Sequence, residues 1–528
     1  MEMTWILAAV LMAAPAETDT ERTPVPTFES HADLTPRGKI DELVFARLKQ
    51  LKIQPANVCS DEVFVRRVYL DVIGTLPSPQ EARQFLLDED PDKRGALIDR
   101  LFERDEFADY WAMKWGDVLR VKAEFPINLW PNAVQAYHRW IRTSIKENVP
   151  YDRFAREMLT ASGSNFRDPQ VNFYRAMQST EPEVIARAVA LTFMGVRAEK
   201  WPEDRASGMA AFFSEIGCKP TAEWKEELVF FDPLKTAPEA ADDKPGKAVF
   251  PDGTAARLDP DKDPREVFAD WLIAPENPWF ARNAVNRVWY WLLGQGIIHE
   301  PDDVRPDNPP RNPELLAWLE KELVASKYDL RHVYRLILNS KTYQLSSIPR
   351  SDHPEAEAHF ACYPLRRLDA EVLIDALCQI TGTTEQYSSQ APEPYTFVPD
   401  HQRSIALADG SITSSFLEMF GRPPRDTGLQ SERNNLPTAA QRLHLLNSSH
   451  LRRKIEQSEK LRTLIQQSAR NRRGTAEKLY LTILSRFPTE EELKIVQEYA
   501  DSGTATAREA AFDLAWALIN CPEFLYRH

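Results

Sequence analysis

Glycine is scarce: 18 of 528 residues, about half the usual share. That argues against Gly-rich nucleotide folds and against turn-dense β-sandwiches. The five cysteines (Cys59, Cys218, Cys362, Cys378 and Cys521) are scattered, with no C-x-x-C pair. Such spacing excludes a zinc ribbon and a dithiol redox motif. The odd count leaves at least one thiol over, and buried, unpaired cysteines are expected. There is no H-E-x-x-H, no H-x-x-x-H, no G-x-S-x-G and no P-loop, so the familiar zinc, serine-hydrolase and nucleotide signatures are missing. After the N-terminal leader no run approaches the roughly 18 apolar residues of a membrane span. The net charge of −14 would repel the phosphates of B-DNA, so no nucleic-acid partner is expected.

What is present points to packed helices. The chain has 13 Trp, 25 Phe and 39 Pro. Many prolines stand at helix starts, where a missing N–H costs nothing. Met1–Ala16 (MEMTWILAAVLMAAPA) has an apolar run followed by Ala14-Pro15-Ala16, an A-x-A-like cleavage site, and predicts export to the periplasm or outside. Its start carries Glu2 in place of the usual Lys or Arg. A polar Pro/Thr-rich stretch over 17–36 reads as a flexible tail.

Helical spacing begins at Lys39, with Ile40, Leu43, Val44 and Leu48 on one face. Helices follow at about 61–74, 78–88, 91–104, 106–122, 133–147, 151–160 and 181–195. In the second half they recur at about 264–273, 279–294, 312–325, 329–341, 368–381, 437–446, 448–468, 474–485, 489–501 and 506–520. Ser78-Pro79-Gln80-Glu81 is a capping box, Asp90-Pro91 reads as a similar start, and Asn312-Pro313-Glu314 gives an N-cap with Pro at N1. Between them, Glu227–Asp232 and Ala248–Gly253 read as short strands, with 238–246 a charged connector. The prediction is a mainly α protein: an N-terminal helical domain over 37–213, a β-containing linker over 214–263 and a C-terminal helical domain over 264–528.

The two ends resemble each other. Tyr69–Glu81 aligns with Tyr480–Glu492 without a gap, and each copy leads through a helix to a Glu-Phe pair, Glu106-Phe107 and Glu523-Phe524. A repeated helical module at both ends is predicted.

The most unusual stretch is 277–347. Arg282, Asn283, Asn286 and Arg287 form two i,i+4 pairs on a helix rich in Trp and Val. Asp302, Asp303 and Arg305 follow in a proline-rich loop. One reading has these groups satisfying carbonyls and carboxylates across a helix interface. The other is a polar cleft for a carboxylate, sulfate or sugar, with Arg as bidentate donor and Arg366, Arg367, Glu432 and Arg433 on the same wall. Trp130, read as exposed, could stack on a sugar ring or pack inside. Asp259–Asp263 looks like the opening of a calcium loop, but lacks the required Gly and Glu and fits a helix cap at Asp263 better. No metal site is expected.

With these residues in hand, the chain resembles a secreted planctomycete-type family of unknown function. That family joins a cytochrome-associated N-terminal domain (PSCyt-two type) to a planctomycete-specific C-terminal domain (PSD-one type). The likeness runs through IDELVFARLKQLKI, RRVYLDVIGTLPSPQEARQFL and LIDRLFERDEFADYWAMKWGDVLR. It resumes in FADWLIAPENPWFARNAVNRVWYWLLGQGIIHEPDDVR, YPLRRLDAEVLIDAL, FGRPPRD and ALINCPEFLYRH. Many relatives carry a C-x-x-C-H haem site after G-V-R. Here that interval, Ala198–Ser207, holds neither Cys nor His, so covalent haem attachment is not expected, and no cofactor is expected at all. The resemblance implies a binding or assembly role in the cell envelope beside another secreted protein, with a polysaccharide as a further candidate partner. The alternative is an enzyme acting on an anionic or sugar polymer, with carboxylates sought among Asp302, Asp303 and Glu432.

Overall fold

The computed structural model describes residues 27–30, 32–235, 248–259, 261–468 and 471–528. The leader at 1–16, residues 17–26 of the tail and the connector at 238–246 lie outside them. The fold is mainly α, with 53% helix and 5% strand. Among the described residues, no helix is long and apolar enough to cross a membrane.

The helices keep the predicted order, and the caps explain most of their starts. Ser78 and Glu81 close a full capping box on Pro79–Leu87. Asn312 accepts from the Leu315 N–H at the start of Pro313–Ala325. Asp263 accepts from the Arg265 N–H and caps Pro264–Ile273, which is the helix-cap role. Two starts differ. The helix after Asp90-Pro91 begins at Lys93, because Asp90 spends its carboxylate on the Asp92 N–H at 2.8 Å, closing a local turn instead of capping. The single helix expected over 448–468 is two, Ser449–Glu456 and Glu459–Ser468. The break falls at Ser458, whose hydroxyl accepts from the Leu461 N–H at 2.9 Å and so starts the second helix.

Strands are few and short. β1 (Glu29–Ser30), inside the stretch read as a tail, pairs with β2 (Val58–Cys59). β3 (Gly163–Ser164), β4 (Ile216–Pro220) and β5 (Glu227–Phe231) make one antiparallel sheet in the order β3-β5-β4. The strand expected at 248–253 is not formed. Phe250–Thr254 closes a turn instead, with the Gly253 N–H on the Phe250 carbonyl at 2.8 Å. β6 (Arg366–Arg367) pairs with β7 (Tyr526–Arg527), Arg366 opposite Arg527.

One buried cluster runs from Ile40 to Phe524 and joins both halves. Trp111 lies 4.4 Å from Tyr334 and 5.5 Å from Trp291, ring centre to ring centre. Trp115 meets Trp291 edge-on at 5.3 Å, and Tyr151 stacks on Phe280 at 4.8 Å. Such aromatic pairs add to the burial of their large faces.

The two end modules have the same helix order. Asp61–Val72, Pro79–Leu87 and Lys93–Phe102 correspond to Arg472–Ile483, Glu490–Asp501 and Ala507–Asn520. Each first helix ends at a residue with positive φ, Gly74 at 60° and Ser485 at 63°. Each second helix has a capping box, with Glu81 and Glu492 at the third position. In each, one arginine ties that glutamate to the Glu of Glu-Phe. Arg104 donates to Glu81 at 2.9 Å and Glu106 at 2.7 Å, while Arg486 donates to Glu492 at 2.7 Å and Glu523 at 2.6 Å. Each arginine also lies over the matching tyrosine ring, Tyr69 and Tyr480. The two arginines reach this spot from different points of the chain.

A Cβ on Gly74 would stand 2.4 Å from Tyr110 Cδ2. Gly74→Ala is therefore expected to lower stability by about 2 kcal/mol, read as a shifted denaturant midpoint. Ser485→Gly, which relieves the same backbone conformation, should not destabilise.

Candidate functional site

A cleft of about 500 Å³ lies where the two halves meet. Lys114 comes from the Asp105–Val118 helix of the first half. Tyr290 and Trp291 come from Phe280–Leu293, Arg366 and Arg367 from β6, and Asp369 immediately precedes Ala370–Thr381 without a side-chain cap bond. The 430–437 segment supplies Gln430, Arg433 and Asn435, and β7 supplies Tyr526 and Arg527. The β6–β7 register sets Arg366, Arg367 and Arg527 side by side. Gly294 permits the close approach: it has φ of 72° and a Cβ there would meet Arg366 Cδ at 2.3 Å.

Beneath the cleft the charges form one buried network. Asp369 accepts from Lys114 Nζ at 2.9 Å, Arg527 Nη2 at 3.1 Å and Asn435 Nδ2 at 2.7 Å. Arg433 donates to Asp117 Oδ2 at 2.7 Å and to Glu371 Oε2 at 2.7 Å. Asp117 also accepts from Arg425 at 2.9 Å, and Arg422 faces Glu371 at 3.5 Å. Asp71 accepts from the hydroxyls of Tyr343 at 2.9 Å and Tyr363 at 2.7 Å, with Arg527 at 3.0 Å and Arg366 at 3.6 Å. Such a network holds its geometry because each buried charge is costly unless paired.

The ionisation states follow. Burial opposes the charge on Asp369, yet Lys114, Arg527 and Arg433 hold it well below the usual carboxylate range. Burial likewise opposes Glu371, but Arg433 outweighs it and brings that carboxyl down to about 2. Lys114 goes the other way: burial, only partly offset by Asp369 and worsened by Arg433 and Arg527, lowers it to about 8.

The cluster is unbalanced. Seven cations (Lys114, Arg366, Arg367, Arg422, Arg425, Arg433 and Arg527) face four carboxylates (Asp71, Asp117, Asp369 and Glu371). Arg367 has no carboxylate partner among the described ion pairs. It donates to the carbonyls of Phe420 and Asn434, and its Nε and Nη1 are buried without a hydrogen-bond partner.

The sequence-predicted residues divide into three groups: the cleft, a closed interface, and local pairings outside both. Arg366, Arg367 and Arg433 line the cleft. Asn283, Asn286, Arg287 and Asp302 are buried in a closed interface behind it. Asn283 donates to the Thr192 carbonyl at 3.0 Å, and Asn286 exchanges two hydrogen bonds with the Ile298 backbone at 2.9 and 2.8 Å. Arg287 pairs with Asp302 at 2.9 Å, whose other oxygen accepts from the Gln430 N–H at 2.6 Å and so fixes the cleft wall. Arg282 pairs with Glu320 at 2.7 Å, and Arg305 with Asp303 and Asp307, each at 3.0 Å. Glu432 accepts from the Thr427 N–H at 2.7 Å, and burial raises its pKa. Asp302, Asp303 and Glu432 do not line the cleft, where Asp369 is the carboxylate.

Sequence reasoning missed Asp71, Lys114, Asp117, Glu371, Arg422, Arg425 and Arg527 as members of the cluster. Except for Arg422 and Arg425, which sit in the proline-rich FGRPPRD, their signal was present: each is a charge inside an otherwise apolar helical or strand run, as in RRVYLDVI and WAMKWGDVL.

These features define a two-part helical protein whose polar cleft needs both parts. Residues 39–213 match the family described as PSCyt2, Protein of unknown function (DUF1549). Residues 264–500 match PSD1, Protein of unknown function (DUF1553). The chain belongs to the proteins that pair these two domains. No curated protein and no solved structure matches it. Lys114 lies in the first matched region and Tyr290 to Asn435 in the second, so the cleft straddles the pair.

Proposed function

We propose that this chain is an exported, non-haem binding or assembly protein of the cell envelope. It grips an anionic group of another envelope protein, a carboxylate or a sulfate, in the cleft between its two domains. The carrying observation is the set of five cations, Lys114, Arg366, Arg367, Arg433 and Arg527, that line the cleft against one carboxylate, Asp369. A fixed excess of buried positive charge favours an anion, and planar guanidinium groups favour one that can be held in two places at once. The leader sequence supports export, and the missing C-x-x-C-H supports a role without haem.

A pull-down from envelope extract with the full chain tests this. The expected result is one specific partner, released by salt and not retained by Arg366→Gln. Arg366 suits the test because its side chain is partly open to solvent, while its guanidinium is steadied by the Trp291 and Leu292 carbonyls. Failure to recover a partner, or equal recovery by the variant, overturns the proposal.

The low pKa of Lys114 adds a pH signature. An anion in the cleft would favour the ammonium form, so binding should take up a proton near the value of about 8. Sulfate affinity is expected to fall as pH rises from 7 to about 9, measured by calorimetry in buffers of different ionisation heat. Affinity that is flat over this range contradicts the assignment.

A further inference from the structure

Away from the cleft, three segments bring Trp130, Trp224 and Tyr395 together at the surface. Their ring centres are 4.7 Å (Trp130–Trp224), 5.3 Å (Trp130–Tyr395) and 5.5 Å (Trp224–Tyr395) apart. Trp130, read from sequence as exposed, is half-buried. The open faces belong to Trp224, 58% exposed, and Tyr395, 46% exposed. Lys225 Nζ lies 5.7 and 5.9 Å from the two indole centres, held by the rings' negative faces.

The placement is fixed at some cost. Trp130 has φ of 71° and ψ of 146°, a region almost reserved for glycine, and such strain gathers where function demands a geometry. It is held by its N–H on the Ala123 carbonyl at 3.2 Å and its own carbonyl on the Val134 N–H at 3.0 Å. Lys225 is also left-handed, with φ of 64°. Its turn is closed by the Thr221 hydroxyl on Glu226 at 2.7 Å. The loop carrying Tyr395 is tied back through the Gln390 N–H to Glu124 at 3.0 Å.

We propose that this triad is a glycan-binding platform, with pyranose rings stacking on Trp224 and Tyr395 and the Lys225 ammonium donating to hydroxyls. Two observations favour a glycan over a protein. Two half-open rings present far less than the roughly 800 Å² per partner of a stable protein interface. The exposed neighbours in the chain are Ala222, Glu223, Lys225, Pro392, Glu393 and Pro394, with Phe397 two residues beyond Tyr395, so charged hydrogen-bonding groups stand directly beside the open rings. The rings are tilted by 58–71° to one another. That suits a flexible oligosaccharide turning between faces, and not the flat face of a crystalline polymer.

The test titrates the full chain with the hexaoses of chitin, xylan and starch, read by tryptophan fluorescence. The expected result is saturable binding of at least one, weakened about tenfold in Trp224→Ala and in Tyr395→Ala. Both variants should melt like the parent, since the side chains are largely exposed. Absence of binding, or binding unchanged in both variants, overturns the proposal. So does a concentration-dependent dimer that Trp224→Ala abolishes, which would assign the patch to a second copy. Arg366→Gln should leave hexaose binding intact, so failure here is distinct from failure at the cleft.

Discussion

Arg433→Met is expected to destabilise the protein by about 3–5 kcal/mol. Arg433 is the hinge of the buried network, bonded to Asp117 and Glu371 together. Its loss leaves Asp117 with Arg425 and Glu371 with the more distant Arg422 as their remaining arginines. Removing a second charge should recover part of the cost, because partners in one network are not additive. Arg433→Met combined with Glu371→Gln is therefore expected to be more stable than Arg433→Met alone. Denaturant midpoints measure both. A single-variant loss below about 1 kcal/mol, in the range of an exposed ion pair, would show that the network contributes little.

Acid is expected to act through four buried groups with different signs. Burial lowers His138 from 6.5 to about 3, so folding favours its neutral form. Its stability is intact above 6.5 and is lost as pH falls towards 3, by about 5 kcal/mol over the whole window. Glu371, brought from 4.5 to about 2 despite its burial, is lost between those values, by about 3 kcal/mol. Asp375 has the opposite sign. Burial, only partly offset by Arg403, raises it from 3.8 to about 6, so the fold gains about 3 kcal/mol as pH falls through that window. Burial also lowers His528 from 6.5 to about 4, a loss of the same sign as His138. Between about pH 6 and pH 4 the two histidines lose about twice what Asp375 gains, and below that His138 and Glu371 act together. The expected profile is a gentle fall followed by steep acid unfolding. In His138→Phe the fall between about pH 6 and pH 4 should flatten, because His528 and Asp375 then nearly cancel. An Asp375→Asn profile no steeper than the wild type over that window would contradict the sign assigned to Asp375.

Much of the fold was legible because its signals are local. A Ser, Thr, Asn or Asp with an acid or proline at the right offset marks a helix start whatever lies beyond it. Hence the boundaries at Ser78, Asn312, Thr489 and Thr506 agree within one or two residues, and the duplicated end module could be read without a structure. The strands were harder. β5 is legible at Glu227–Asp232 and stands at Glu227–Phe231, whereas β3 is two residues long and β4, IGCKP, has no apolar alternation to register.

The cleft was half legible. Arg366, Arg367 and Arg433 stand out as cations in apolar or proline-rich surroundings. Lys114 and Asp117 looked like one turn of an ordinary helix. Asp117 meets Arg433 across 316 residues of chain, and no local pattern carries that pairing. The Asn283–Arg287 helix drew notice for a sound reason, since buried polar groups must be satisfied. One layer behind the cleft, backbone groups and Asp302 take most of their hydrogen bonds, and Asn283 Oδ1 with Arg287 Nε and Nη1 stay buried without a partner.

The proposition that the surplus cations exist to hold an anion is tested most directly by crystals of the full chain grown with selenate and examined at the selenium edge. An anomalous peak within hydrogen-bond reach of Arg366 and Arg367, absent in Arg366→Gln, is the expected result. An empty cleft in crystals that hold selenate elsewhere would mean that the seven cations serve only to join the two domains.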